Sequence, residues 1–201
     1  MSKIGEYEPN LLCMGLLRTP LELARKALVL QLESAIKKEA IRSALQQIDW
    51  RLFFERDGQF YEIKRFQIAL LSAREDLTVY VCNLADGWLS LFGNIVRARN
   101  LDAYFFRATL LEKAEFKVFE MMRWRNGDLK RHVSALQDDD GWKFVNRGDA
   151  LPFESSMQYK RRQVSGRLNR RLIEMYSEAA GFGIGSVTQF GGDCWRFWRD
   201  Q

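Results

Sequence analysis

Apolar positions along the chain fall into two helical stripes with a strand-rich stretch between them. Thr19-Pro20 reads as a helix start, a hydroxyl able to cap free N–H groups followed by a residue that needs none. Behind it Leu21, Ala24, Leu28, Leu32, Ala35 or Ile36, Ile41, Leu45 and Ile48 recur at three- to five-residue steps. That stripe predicts a helical segment over 19–49, with Lys38-Glu39 as the place for a break. Arg25, Lys26, Glu33, Lys37 and Lys38 mostly occupy its other faces. A second stripe, Met157, Val164, Leu168, Leu172, Met175 or Tyr176, and Ala179, predicts a helix over 155–180 that stops at Gly181.

Between the stripes, residues 50–147 read mostly as strands. Leu52-Phe53-Phe54 and Phe60-Tyr61-Glu62-Ile63 flank Asp57-Gly58, a hairpin dipeptide. Phe66–Leu71 and Asp102–Leu111 fit either strand or helix. Leu77–Cys82 and Trp88–Phe92, apolar on both faces, predict a hairpin near the centre of the sheet. Asn126-Gly127 is the strongest turn signal, setting Arg125 against Asp128, Trp124 against Leu129 and His132 against Met121. Asp138-Asp139-Asp140-Gly141 reads as a loop, Trp142–Val145 as a short strand and Gly148–Pro152 as a turn. Glycines 183, 185, 191 and 192 loosen the turn and tail over 181–201, where Cys194–Trp198 predicts an edge strand or packed tail. The order helix, sheet, helix gives a single α+β domain over 1–201: an antiparallel sheet with long helices at the N-terminus and near the C-terminus. Its 47% hydrophobic residues and 14 Phe suffice for a sizeable core.

Composition narrows the chemistry. No apolar run nears the roughly 20 residues that span a bilayer, so no membrane partner is expected. Met1–Glu6 lacks the order of a secretory signal, and Cys13, Cys82 and Cys194 are too scattered for a disulfide framework. Both point to the cytoplasm. His132 is the one histidine, set mid-strand with no nucleophile nearby in sequence, and no zinc spacing exists. Asp138–Asp140 lacks the alternation of a calcium loop, and Gly181–Gly185 follows a helix instead of opening one, the reverse of a phosphate site. Glu120 is expected to pair with Arg131. No cofactor, metal site or catalytic set is predicted, although Asp86 and Asp139 leave open an enzyme assembled from separated loops.

Charge adds a location. The net charge is +5, and the six basic against two acidic residues between Met157 and Ala180 supply +4 of it. Arg161, Arg162, Arg167, Arg170 and Arg171 on the second helix are therefore the candidate partner-binding residues, with Trp195 and Trp198 as anchors. An acidic protein surface and nucleic acid are both compatible partners; a solvated helix face is the alternative.

One ordered set of motifs goes further. Phe119-Glu120, Asn126-Gly127-Asp128-Leu129-Lys130-Arg131, Asp140-Gly141-Trp142 and Gly148-Asp149-Ala150-Leu151-Pro152-Phe153-Glu154 follow one another. With Val79-Tyr80-Val81, Gly87–Phe92 and Asp102-Ala103-Tyr104 ahead of them, this order resembles immunity proteins of bacterial polymorphic-toxin and interbacterial-competition systems. The resemblance covers about residues 77–180. It implies a non-enzymatic protein that neutralises a cognate toxin or effector. The basic charge departs from immunity proteins that block basic nucleases, and so points to another kind of toxin.

Overall fold

The computed structural model describes residues 11–38, 40–54, 66–114 and 116–199. Among them, nine strands form one antiparallel sheet: β1 (Leu11–Leu17), β2 (Arg42–Gln46), β3 (Gln67–Arg74), β4 (Leu77–Cys82), β5 (Ala103–Thr109), β6 (Lys117–Arg125), β7 (Asp128–Asp138), β8 (Gly141–Arg147) and β9 (Cys194–Trp198). Their spatial order is β2-β9-β3-β4-β1-β5-β6-β7-β8. The helices are α1 (Leu21–Lys37), α2 (Trp50–Phe54), α3 (Leu89–Ala98) and α4 (Arg170–Ala180).

A sheet whose central strands are apolar on both faces must be covered on both. β4 is buried from end to end. One face, presenting Leu12, Met14, Leu16, Val79 and Val81, packs against α2 and α4; the other, presenting Cys13, Tyr80, Cys82 and Phe105, packs against α1 and α3. Gly15 admits the closest approach: a Cβ there would stand 2.2 Å from the Phe92 ring of α3.

The antiparallel α+β architecture agrees with the sequence pattern; the helices are shorter than expected. The stripe over 19–49 splits into α1 and the edge strand β2, and the five-residue α2 follows where strands were expected to begin. A step of four residues, as from Ile41 to Leu45, suits either period, and β2 is fixed by its distant pairing with β9. β1 precedes α1, so that helix does not open the described fold, and Pro20, not Thr19, occupies its N-cap without a side-chain bond. Over 155–180 the chain makes two 3-10 turns, Gln158–Lys160 and Val164–Gly166, before Asn169 caps α4 by accepting from the Leu172 N–H at 3.1 Å. Trp88–Phe92 is no strand: Leu91, Phe92, Ile95 and Val96 bury one helical face of α3. Leu52-Phe53-Phe54 lies in α2, while Asp57-Gly58 and Phe60–Ile63 lie outside the described residues. Cys194–Trp198 is no edge either, since β9 inserts between β2 and β3.

Candidate interaction surface

The Asn126-Gly127 hairpin forms with Arg125 opposite Asp128 and Trp124 opposite Leu129, both turn residues at positive φ. Beyond it the register slips by one residue, with Arg123 opposite Arg131 and His132 opposite Met122 instead of Met121. Lys130 is the extra residue of this bulge. A one-residue slip exchanges the faces of a strand, so the bulge turns Arg131 inward beneath α4.

Arg131 is 2% exposed, and each of its three guanidinium nitrogens donates a hydrogen bond. Its Nε and Nη2 donate to the Glu154 carboxylate (2.9 and 2.6 Å), and Nη1 donates to Asn146 Oδ1 (2.6 Å), Arg147 O and Gly148 O. Glu154 also accepts from the Leu151 N–H and the Tyr159 hydroxyl, which lies 3.2 Å from the Tyr176 hydroxyl; that in turn accepts from Ser155 N–H. Burial opposes charge on Arg131, but the adjacent Glu154 carboxylate outweighs it and holds the guanidinium pKa above its usual value. Burial first, then Tyr176 and Glu154, push the Tyr159 phenol far up, so it stays a neutral donor. These bonds tie the 148–159 segment and α4 to β7.

The basic residues ride on this base. Lys160, Arg161 and Arg162 leave the turn that Tyr159 anchors and are exposed. Arg167 is half-buried, donating from Nε to Arg161 O (2.7 Å) and lying 5.2 Å over the Phe144 ring of β8. Arg170 bonds Glu174 at 2.7 Å and Leu110 O at 2.8 Å. Arg171 is exposed, one turn from Met175, which is 48% exposed, and Met157 is 71% exposed. Among the described residues no carboxylate forms an ion pair with Arg161, Arg162 or Arg171. The five arginines thus divide: Arg161, Arg162 and Arg171 face outward, while Arg167 and Arg170 hold the segment together.

The two tryptophans stand elsewhere. Trp195 and Trp198 are half-buried on β9, each beneath a guanidinium, Arg25 at 4.7 Å and Arg196 at 5.0 Å. β9 lies seven strand positions from β8, about 34 Å at the usual strand spacing of ~4.8 Å. The structure therefore does not join them to the basic segment.

On the face opposite α4, Glu120 pairs with Arg107 (3.0 Å) and His132 Nε2 (2.9 Å), not with Arg131. The Arg107 guanidinium and the His132 ring thus share its one carboxylate, which spends the acid within the sheet face. Lys143 bonds Asp138 (2.5 Å) and Asp140 (3.3 Å) and lowers the Asp138 pKa, which closes the acidic loop onto a cation of its own. Asp86 accepts from Trp88 N–H at 2.9 Å, and Asp139 hangs four strand positions away, about 19 Å at ~4.8 Å per strand. Among the described residues no group of three or more His, Cys, Asp or Glu gathers to hold a metal, and no helix is long and apolar enough to cross a membrane.

The apolar stripe expected over 155–180 left Met175 or Tyr176 open, and Tyr176 is the buried one; the outward Met157, placed in that stripe, and the Arg131–Glu154 anchor were missed. The signal for the anchor was present, since both residues belong to the quoted motifs. Comparison of the chain with family models, curated proteins and solved structures finds no match.

Proposed function

We propose that this chain is a non-enzymatic immunity or inhibitor protein, acting in the cytoplasm, that binds and neutralises a cognate bacterial toxin or effector through the 157–171 segment and the outer side of α4. One observation carries the reading: three outward arginines, Arg161, Arg162 and Arg171, stand with exposed Met157 and Met175 on a segment held by a buried hydrogen-bond network. Arginine beside adaptable methionine is hot-spot chemistry, and a rigid base lowers the ordering cost of association. Their charge calls for an acidic partner surface, which agrees with a toxin other than a basic nuclease.

The test is protection. Cells expressing a toxin encoded beside this gene should survive when the chain is co-expressed. They should die when it carries Arg161→Glu, Arg162→Glu and Arg171→Glu together. Death despite soluble wild-type protein would end the immunity reading. Retention of nucleic acid, with affinity falling steeply between two salt concentrations, would instead assign the same arginines to phosphate contacts.

A further inference from the structure

Cys13 of β1 and Cys82 of β4 are direct partners in the sheet register, on the same face, and each is 1% exposed. The backbone fixes what kind of partners they are. Arg18 N–H donates to Asp102 O, so even-numbered residues of β1 turn their amides toward β5 and odd ones, Cys13 included, toward β4. Asn83 N–H donates to Gln67 O, so odd-numbered residues along β4 turn toward β3 and Cys82 turns toward β1. Cys13 and Cys82 therefore form a hydrogen-bonded pair, whose Cα atoms stand about 5.5 Å apart, inside the roughly 4.4–6.8 Å span of disulfides. Their Cβ atoms, about 5.5 Å apart in such a pair, must close toward about 4 Å in a disulfide. That closure strains the bond and keeps it easily reduced.

The surroundings give the pair a lever. Cys13 Sγ–H donates to Ala85 O at 3.5 Å, and the Cα of Gly87, at positive φ, sits so close that a Cβ there would lie 2.5 Å from Cys13 Cβ. The Tyr80 hydroxyl, beside the Cys82 thiol, donates to Gly87 O at 3.2 Å. The two cysteines and Tyr80 thus lie under the 83–88 loop, which leads through Trp88 at positive φ into α3.

We propose that Cys13 and Cys82 are a reversible dithiol switch, oxidised by hydrogen peroxide, whose closure releases the 83–88 loop. One thiol sulfur takes an oxygen from peroxide, giving a sulfenic acid and water. The other thiol displaces that hydroxyl as a second water, forming the S–S bond; peroxide is reduced and the two sulfurs are oxidised. Cys13 Sγ then carries no hydrogen for Ala85 O. Cys194 is a bystander, since it packs in the core on the opposite face of the sheet.

Peroxide-treated full-length protein, denatured and alkylated, should show one alkylatable thiol in place of three. A peptide map should link Cys13 to Cys82, and dithiothreitol should restore all three thiols. Amides 83–88 should exchange with deuterium at least tenfold faster in the oxidised form than in the reduced form. Three surviving thiols, over-oxidation without a link, a link through Cys194, or unchanged exchange in the loop would each overturn the proposal. The wild-type chain suffices, so the test does not depend on a cysteine variant folding.

Discussion

At the scale of single residues, the strongest commitment is the Arg131–Glu154 pair, with side chains 1% and 0% exposed. Removing one partner leaves an uncompensated buried charge, a loss of about 3–5 kcal/mol. Glu154→Ala should lower the unfolding free energy by that amount in a denaturant titration. Replacing both charges, as Arg131→Met with Glu154→Leu, should cost less than Glu154→Ala alone, and a larger loss would show that the bonds to Asn146 and Gly148 dominate. Asp102 offers a pH test. Burial alone would raise its pKa, but the Asn126 N–H at 2.9 Å and the Arg123 guanidinium at 3.1 Å outweigh it and hold it below 3.8. A group depressed on folding stabilises above its unfolded pKa and loses that contribution as pH falls through the folded one. The advantage of wild type over Asp102→Asn should therefore be constant above about pH 5, one unit above the unfolded Asp value, and shrink as pH falls below 4. An advantage that grew on acidification would reverse the assignment.

At the scale of elements, α4 exists where a cap permits it. The preceding Val164–Gly166 turn and Asn169, extended at φ −150°, stop the helix from running back to residue 155. Asn169→Ala should cost about 1 kcal/mol, measured by thermal or chemical unfolding, and leave the sheet intact. Gly15 makes the converse case in the sheet. Gly15→Ala would drive its methyl into Phe92, an overpacking cost of about 1–3 kcal/mol concentrated in α3. These two elements mark how far the sequence could be read. Asn126-Gly127 fixed its own hairpin because both turn residues must take positive φ, a local demand that names its residues. The bulge at Lys130 was invisible, because it depends on what covers the strand: Arg131 turns inward to meet Glu154, far along the chain. α3 is legible only in the helical spacing of Leu91, Phe92, Ile95 and Val96, because the run up to Phe92 is too short to tell strand from helix. β2 was not, because a short, largely exposed strand is decided by its partner β9.

At the scale of the molecule, the +4 concentrated in residues 157–180 was legible as charge but not as a surface, since charge counts do not say which arginines are occupied. The fold sorts them, and it separates two surfaces that the sequence had joined: the basic segment beside β8 and the tryptophans of β9 near the other edge. A single partner of ordinary footprint, about 800 Å² per side, does not need both. Against the toxin proposed as its partner, Arg161→Glu, Arg162→Glu and Arg171→Glu together should weaken binding by roughly 10²–10³-fold, about 3–4 kcal/mol, as expected when arginine hot spots are reversed. Trp198→Ala should leave the affinity within about twofold. Arg167→Ala should act differently again, lowering the melting temperature because it frees Arg161 O and uncovers Phe144, with a smaller effect on binding at temperatures where the chain stays folded. Titration calorimetry with the three proteins separates these outcomes. A loss of binding confined to Trp198→Ala would move the interface to the β2–β9 end and leave the basic segment as a solvated face.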